Sequence, residues 1–344
     1  MFRLTNVLHA GAGALELQNL TANAKGSAQR RISAADLVDF GLCPHRWVTA
    51  PDPEDPLVAF GPPLPEWLAW APTIGQNFFA ARPATYEARV LKCPNCGSKG
   101  PAASCTKCGL RRQNTLVVRN WSAGANYCQQ WEEQKQALGL RVLSARTWES
   151  ARLGADKLNG DPHVHALMAA GSPSQMLLGT YTDPINGLVV PLWAWASFLP
   201  EAEGPKGQLV GRVLETANAD PAQWERSVLG RGLHLEAALT MSLLNSEPSN
   251  NRSKYVWAVL EKAEPRLLAR RLLSNEGLTE GHTRLQELLA TYAQACAAGT
   301  WPNFERVGAD FQDAWRTADI ADWLTGGAGD HGGYLAPDLV EQGV

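Results

Sequence analysis

Four cysteines in two close pairs constrain this chain more than any other feature of its sequence. Cys93 and Cys96 form the first pair, Cys105 and Cys108 form the second, and a glycine follows each pair. Thiolates with this spacing form two knuckles that converge on one tetrahedral zinc ion. The glycines let the backbone turn back, so that its amides point at sulfur. The sequence therefore predicts a zinc ribbon at about residues 88–115, with zinc as a structural cofactor.

Two roles are open for this ribbon. In the first, zinc only holds together a loop that has too little apolar content to fold alone. In the second, the ribbon is a docking surface, because basic residues that can meet phosphate surround its cysteines. The basic residues are Lys92, Lys99, Lys107, Arg111, Arg112 and Arg119. The predicted nucleic-acid contacts are Lys107, Arg111, Arg112 and Arg119. We do not expect a catalytic zinc, because four protein ligands leave no open position on the ion.

The composition is typical of a globular protein. With 344 residues, of which 45% are hydrophobic, the chain can bury one large core or two modest ones. It has no apolar run near the roughly 18 to 20 residues of a membrane span, and its first residues lack a signal-peptide pattern. We therefore expect a cytoplasmic protein that does not bind membranes. Because the net charge is -3, any contact with nucleic acid must be local.

Hydrophobic periodicity predicts an α/β fold, in which helices flank a mixed central sheet of four or five strands. The predicted helices cover residues 32–40, 122–139, 145–169, 221–245 and 276–298. The predicted strands cover residues 175–182, 188–198, 208–216 and 255–260. The predicted organisation is a lead-in at 1–31, a helical and proline-rich part at 32–87, the ribbon at 88–115, a core at 116–305 and a tail at 306–344.

Several segments look like pieces of one nuclease family, in the correct order. Ile32-Ser-Ala-Ala-Asp-Leu37 looks like the family's opening helix, and Val213-Leu-Glu-Thr216 looks like its D-x-K-T strand. Gly232-Leu-His-Leu-Glu-Ala-Ala238 looks like its G-Y-H-x-Q-A-A helix. In these segments the chain resembles the RecE-type exonucleases of the PD-(D/E)XK nuclease superfamily, and the likeness covers most of residues 32–305. The resemblance implies a PD-(D/E)XK-like sheet into which the ribbon is inserted.

The resemblance also implies where the catalytic groups would lie. Active members hold Mg²⁺ with carboxylates from neighbouring strands and use a lysine to help activate water. The first aspartate position falls at Ser197, or at Ala196 if the register slips by one. The second aspartate position falls at Val213, and the lysine position falls at Glu215. Upstream, Pro65 stands where an acidic or imidazole group is expected. The resemblance therefore implies a degenerate site without catalytic residues, and neither Mg²⁺ nor Mn²⁺ is expected.

The helix motif is also altered, since Leu233 stands in place of its tyrosine and Glu236 in place of its glutamine, and His234 alone is retained among its three polar side chains. A lone histidine is more often a packing residue than a ligand. A displaced metal site built from Glu215, Glu236, Asp183 and Asp220 is the alternative.

These patterns lead to a function hypothesis with two alternatives. The chain is predicted to be an inactive RecE-like pseudoenzyme that acts as a nucleic-acid-associated binding or scaffolding subunit, in a phage, mobile-element or defence complex. DNA is expected rather than RNA, a protein partner is expected, and a homo-oligomer is left open. The first alternative is a Mg²⁺-dependent DNA exonuclease with relocated active-site residues. The second is a purely protein-binding scaffold.

Overall fold

The computed structural model describes residues 1–19, 23–27, 29–54, 59, 61–204, 207–220, 224, 228 and 231–301. The predicted tail at 306–344 lies outside the described residues, as does most of the segment 221–230. The chain divides into two compact units, of which the first is Met1–Ala71 with Gly154–Val344 and the second is Pro72–Leu153. The second unit is thus larger than the predicted ribbon.

The strands are β1 (Phe2–His9), β2 (Phe79–Ala81), β3 (Thr85–Lys92), β4 (Gln113–Asn120), β5 (Arg141–Leu143), β6 (Gly171–Thr182), β7 (Val189–Pro200), β8 (Leu209–Thr216), β9 (Lys254–Glu261) and β10 (Leu268–Leu272). The helices are α1 (Ala10–Asn19), α2 (Ala34–Leu42), α3 (Pro44–Thr49), α4 (Leu64–Trp70), α5 (Pro72–Gly75), α6 (Asn126–Ala137), α7 (Ala145–Gly160), α8 (Pro162–Ala169), α9 (Leu233–Leu244) and α10 (Asn275–Ala298). None of the described helices is both long and apolar enough to span a bilayer.

A six-stranded mixed sheet in the order β1-β6-β7-β8-β9-β10 organises the first unit. β8 and β9 are parallel, and the other neighbouring pairs are antiparallel. The predicted α/β class with a mixed central sheet and flanking helices is confirmed. The sheet has more strands than expected because β1 and β10 extend its two edges.

Hydrophobic periodicity predicts no helix or strand in the N-terminal lead-in, but the structure contains a strand and a helix there. β1 pairs with β6, so that Phe2 lies opposite Tyr181. The two rings lie 5.3 Å apart. This strand depends on a partner far away in the sequence, and for that reason local periodicity does not reveal it.

One face of the sheet carries the main hydrophobic core. Helix α9 is buried on nearly all sides and packs in this core together with α2 and α10. The approach of α10 to α9 is close, since a Cβ on Gly281 would lie 2.4 Å from the carbonyl oxygen of His234. Phe40, Trp47 and Tyr292 pack edge to face with ring centroids 5.4 to 6.1 Å apart. Such pairs add to the stability gained from burial.

The opposite face carries a smaller cluster, in which Val213 and Phe198 pack against Leu158 of α7 and Val164 of α8. The predicted single helix at 145–169 is divided into α7 and α8. Asp161 accepts hydrogen bonds from the first backbone amides of α8, and a proline occupies its first turn. A capping aspartate followed by a proline is typical of a helix N-terminus, so α8 begins as a separate helix.

The second unit contains an antiparallel hairpin made of β3 and β4, whose register runs from Thr85 opposite Asn120 to Lys92 opposite Gln113. It also contains the parallel pair of β2 and β5. The hairpin extends beyond the predicted ribbon at both ends, because its paired strands begin before residue 88 and end after residue 115.

Candidate functional site

The end of the β3–β4 hairpin contains two turns of the same geometry. The Gly97 amide donates to the carbonyl of Cys93 over 3.0 Å, and the Gly109 amide donates to the carbonyl of Cys105 over 2.9 Å. Gly97 and Gly109 have φ values of 69° and 70°. This left-handed conformation favours glycine. The two glycines therefore form the pair of knuckles that the cysteine spacing predicts.

The four cysteine sulfurs converge between these turns. Their Sγ atoms all lie within 4.8 Å of one another. Cys93 and Cys108 are 3.2 Å apart, and Cys96 and Cys105 are 3.5 Å apart. Four ligands about 2.3 Å from a tetrahedral zinc ion lie about 3.8 Å from each other, which is close to the observed spacing. The residues present therefore fit a four-coordinate zinc ion.

Hydrogen bonds within the cluster shift the pKa values of the thiols in opposite directions. A hydrogen bond from the Ser98 hydroxyl lowers the pKa of Cys105 to about 5. Contact with Cys93 raises the pKa of Cys108 to about 12. Thiols this close resist joint ionisation, and a bound cation removes that resistance.

The hairpin around the cysteines is basic. Residues 88–120 contain seven lysines and arginines and no aspartate or glutamate. A zinc ion with four thiolates carries two negative charges, so the segment stays positive after metal binding. Of the predicted contacts, Lys107, Arg111 and Arg119 are exposed.

Arg112 differs from the other three predicted contacts. Its side chain is buried, and its Nη1 donates to the carbonyl of Ala102 over 2.9 Å. A Cβ on Gly100 would lie 3.0 Å from the same nitrogen. Arg112 therefore holds the inside of the hairpin, and its guanidinium is not presented to a partner. The sequence shows its charge but not its burial.

In the first unit, the structure brings together two of the positions that the nuclease resemblance identifies. Ser197 on β7 accepts a hydrogen bond from the Val213 amide on β8, over 2.9 Å. Neither residue is exposed to solvent. The Ser197 hydroxyl donates to Glu66 Oε2 over 2.7 Å, and the Ser174 hydroxyl donates to Glu66 Oε1. These four residues form what we call the serine–glutamate centre.

The sequence reasoning missed Glu66. It placed the expected acidic group at Pro65, one residue earlier in the first turn of α4. Glu66 is fully buried, and this burial raises its pKa to about 7 even though the two serine hydroxyls oppose the shift. Ser174 has a φ of 50°, which is unusual for serine. A carboxyl next to a proline-rich turn was the signal available in the sequence.

Glu215 lies two residues after Val213 on β8 and forms an ion pair of its own. Arg266 Nη1 lies 3.2 Å from Glu215 Oε1, and the arginine side chain is 5% exposed. The position expected to carry lysine thus has a carboxylate, and a cation approaches it from the segment between β9 and β10. This arginine was not identified from the sequence.

Glu236 belongs to a different network. Arg212 Nη1 donates to Glu236 Oε2 over 2.9 Å, and the Tyr255 hydroxyl donates to Oε1 over 3.0 Å. Arg212 directly precedes Val213 on β8, and successive strand residues point to opposite faces of the sheet. The Arg212 and Val213 side chains therefore lie on opposite faces. The retained His234 is buried, with Nδ1 3.3 Å from the carbonyl of Val228, and burial lowers its pKa.

The carboxylates of the alternative displaced site do not converge among the described residues. Asp183 accepts from the Asn186 amide within the turn between β6 and β7, and Asp220 is exposed. Within the part of the chain that the structure describes, the four cysteines form the one group of three or more potential metal ligands.

Comparison with known proteins gives distant structural neighbours. No protein-family model matches the chain, and no curated protein sequence matches it. It is similar to a candidate exonuclease from Eubacterium rectale, with 10% identity over 58% of this chain and 74% of that one and a TM-score of 0.36. It is also similar to Rai1 from Scheffersomyces stipitis, with 10% identity over 68% of this chain and 59% of that one and a TM-score of 0.26. At TM-scores this low, the likenesses do not establish a shared fold or activity. The resemblance to RecE-type exonucleases stays a prediction.

Proposed function

We propose that the protein is a catalytically inactive, nucleic-acid-associated binding or scaffolding subunit that docks through a zinc-bound β3–β4 hairpin. The basic hairpin is the observation that carries this proposal. Six of its seven basic residues are exposed, and no acidic residue lies between residues 88 and 120, although the whole chain has a net charge of -3. Lysines and arginines gathered in this way bind phosphates by releasing the counterions around nucleic acid.

Zinc has a structural role in the proposal. Four cysteine ligands complete its tetrahedral shell and leave no position for a substrate or a water molecule. Bound zinc would fix the two knuckles and so hold Lys107 and Arg111 on a rigid surface. Rigid basic groups lose less conformational entropy when they bind.

The serine–glutamate centre supports the absence of catalysis. A nuclease that holds Mg²⁺ needs several anionic oxygens around an accessible ion. Here Ser197 and Val213 are neutral and fully buried, and both Glu66 oxygens accept serine hydroxyls. Following the RecE-type resemblance, we include DNA as the nucleic acid and a second protein as partner, in a phage, mobile-element or defence complex.

The docking proposal is tested by fluorescence anisotropy with labelled duplex and single-stranded DNA, between about 50 and 200 mM salt. We expect the variant Lys107→Ala/Arg111→Ala/Arg119→Ala to bind at least about tenfold more weakly. The slope of log affinity against log salt should fall in magnitude by up to about 2.7 on duplex DNA, because three phosphate contacts are lost.

The matched control removes three exposed basic residues from the first unit, as Arg46→Ala/Lys254→Ala/Lys262→Ala. It should keep most of the affinity and nearly all of the salt slope. Zinc content and circular dichroism verify that both triple variants are folded. Equal losses in the two variants would mean that the hairpin has no special role in docking, and unchanged binding in both would refute the proposal.

A further inference from the structure

The edge strands of the sheets differ in how well they are protected against pairing with another chain. An edge strand presents unpaired amides and carbonyls, and bulges, charged side chains or a short length discourage such pairing. β1 has an irregular register between Leu4 and Asn6, and the Leu4 amide donates to Ser246 Oγ. β10 has five residues, of which two are arginines. Both edges of the six-stranded sheet are therefore protected.

Strand β4 lacks these protections along most of its length. In the described part of the chain it pairs with β3 alone. Its eight residues include no proline, glycine or acidic residue, and Arg119 is its one charged side chain. Leu116 and Val118 share one face of the hairpin and are 59% and 68% exposed. Three of the eight residues of β3 are charged, so the edge of β4 is the one at which pairing is least opposed.

The hydrogen bonds at the two ends of the hairpin show which backbone groups of β4 point away from β3. The Trp121 amide donates to the carbonyl of Ala84, whereas the Arg112 amide donates to the carbonyl of Ala103, outside the pairing with β3. In an antiparallel pair, residues that bond to the partner strand alternate with residues whose amides face outward. Because the register of β3 and β4 is continuous, the even-numbered residues of β4 face outward. They are Asn114, Leu116, Val118 and Asn120.

A second copy of β4 fits this edge in one antiparallel register, which is centred on Val117. Leu116 of each copy then lies opposite Val118 of the other, and Asn114 lies opposite Asn120. Cross-strand pairs of apolar side chains stabilise a sheet. The register also places the outward amides of both copies opposite one another, as a hydrogen-bonded ladder requires. The outward edge of β4 is therefore complementary to itself.

The positive charge of the hairpin is compatible with this register. Arg119 of each copy lies opposite the neutral Thr115 of the other, and the two arginines are about 14 Å apart along the strands. The two cysteine clusters lie beyond opposite ends of the paired strands, at least about 27 Å apart. Both distances exceed the screening length of about 10 Å at 0.1 M salt. Repulsion between the two hairpins is therefore weak.

We propose that β4 pairs with β4 of a second copy of this chain, so that two hairpins form one four-stranded antiparallel sheet. The two copies exchange up to about eight backbone hydrogen bonds in this register. A sheet of more than two strands is also more stable in water than a two-stranded hairpin. The pairing uses the edge of β4 and no contact with phosphate. It therefore goes beyond nucleic-acid docking, and either proposal can fail while the other holds.

The test is sedimentation velocity of the zinc-loaded full chain from about 1 to 100 µM, a range suited to a weak dimer. We expect the average mass to rise from one chain towards two. Val118→Pro removes an outward amide and keeps the bonds to β3, so it should weaken dimerisation at least about tenfold. Glu87→Pro is the matched control, because Glu87 lies opposite Val118 and its amide faces the other edge of the hairpin. It should dimerise like the wild-type protein.

Exchange of charges tests the register itself. Leu116→Lys/Val118→Lys and Leu116→Glu/Val118→Glu each place like charges opposite one another across the pairing, so each variant alone should be monomeric. A mixture of the two should form a heterodimer, because lysine then lies opposite glutamate at both positions.

Three results of the proline series would overturn the proposal. They are a wild-type protein that stays monomeric over this range, unchanged dimerisation of Val118→Pro, and an equal loss of the dimer in Glu87→Pro. Zinc content and circular dichroism establish that each variant is folded. Should Val118→Pro fail to fold, the charge variants decide the question. A mixture that stays monomeric, or a lysine variant that dimerises alone, would then contradict the proposal.

Discussion

The cysteine hairpin and the serine–glutamate centre both gather polar groups from separate residues, but they leave them in opposite states. In the hairpin, four sulfurs within 4.8 Å of one another face a common point, and this arrangement fits a four-coordinate cation. In the serine–glutamate centre, each polar group is bonded to another and none is exposed. A cluster of polar groups is therefore a binding site only when the protein itself does not satisfy the charge and bonding of those groups, so that a ligand can do so.

The largest expected effect is loss of zinc from the hairpin. Cys93→Ser removes one of four thiolates, and structural zinc in small domains is worth on the order of 10 kcal/mol of folding free energy. Metal analysis should give about one zinc per chain in the native protein and much less in the variant, whose hairpin should become sensitive to protease. Cys296→Ser is the control, because this cysteine lies outside the cluster. If the purified native protein contained no metal and had four reactive thiols, the prediction that the hairpin binds zinc would be wrong.

The next largest effect is expected on stability, when a charge is placed in the serine–glutamate centre. Val213 is fully buried beside Phe198 and Leu158. Val213→Asp should lower the free energy of unfolding by roughly 3 kcal/mol or more, because the new carboxyl is taken out of water and packed against apolar side chains. Val189→Asp, at a position 47% exposed, is the control and should change stability little. Denaturant unfolding measures both. A stable Val213→Asp protein that binds Mn²⁺ would show that the centre is open to metal.

The hairpin was predictable from sequence and much of the serine–glutamate centre was not. All four cysteines lie within one short segment, so their spacing alone encodes the convergence. Glu66, Ser174 and Ser197 come from α4, β6 and β7, and only the folded sheet brings them together. The resemblance identified Ser197 and Val213, but its upstream turn was placed one residue before Glu66.

Sequence patterns also did not predict which of the charged side chains are buried. Arg112 and Arg111 are adjacent and carry the same charge, yet only Arg111 is exposed. Strand β1 was missed for a related reason, since its pairing partner β6 is distant in sequence. Local periodicity reflects the hydrophobic pattern of residues that are close in sequence. It contains no information on contacts between residues that are far apart in sequence.

A smaller and pH-dependent effect is expected at Glu66. Burial raises its pKa from the usual 4.5 to about 7 in the folded protein. Between these pH values the folded protein binds more protons than the unfolded chain, so stability falls as pH rises through this window. Glu66→Gln does not titrate. Its free energy of unfolding relative to wild type should rise across the window by up to roughly 3 kcal/mol. Urea unfolding at several pH values measures the difference, and a pH-independent difference would show that Glu66 is already ionised in the fold.

The proposal that this protein binds nucleic acid without cutting it can be tested in both parts by one reaction. End-labelled linear DNA is incubated with the zinc-loaded protein and Mg²⁺ or Mn²⁺, and binding is followed by anisotropy before the products are separated on a denaturing gel. We expect a salt-sensitive rise in anisotropy and full-length DNA on the gel. Metal-dependent release of nucleotides by wild-type protein, abolished by Glu66→Gln or Glu215→Gln, would contradict it and establish a relocated nuclease site.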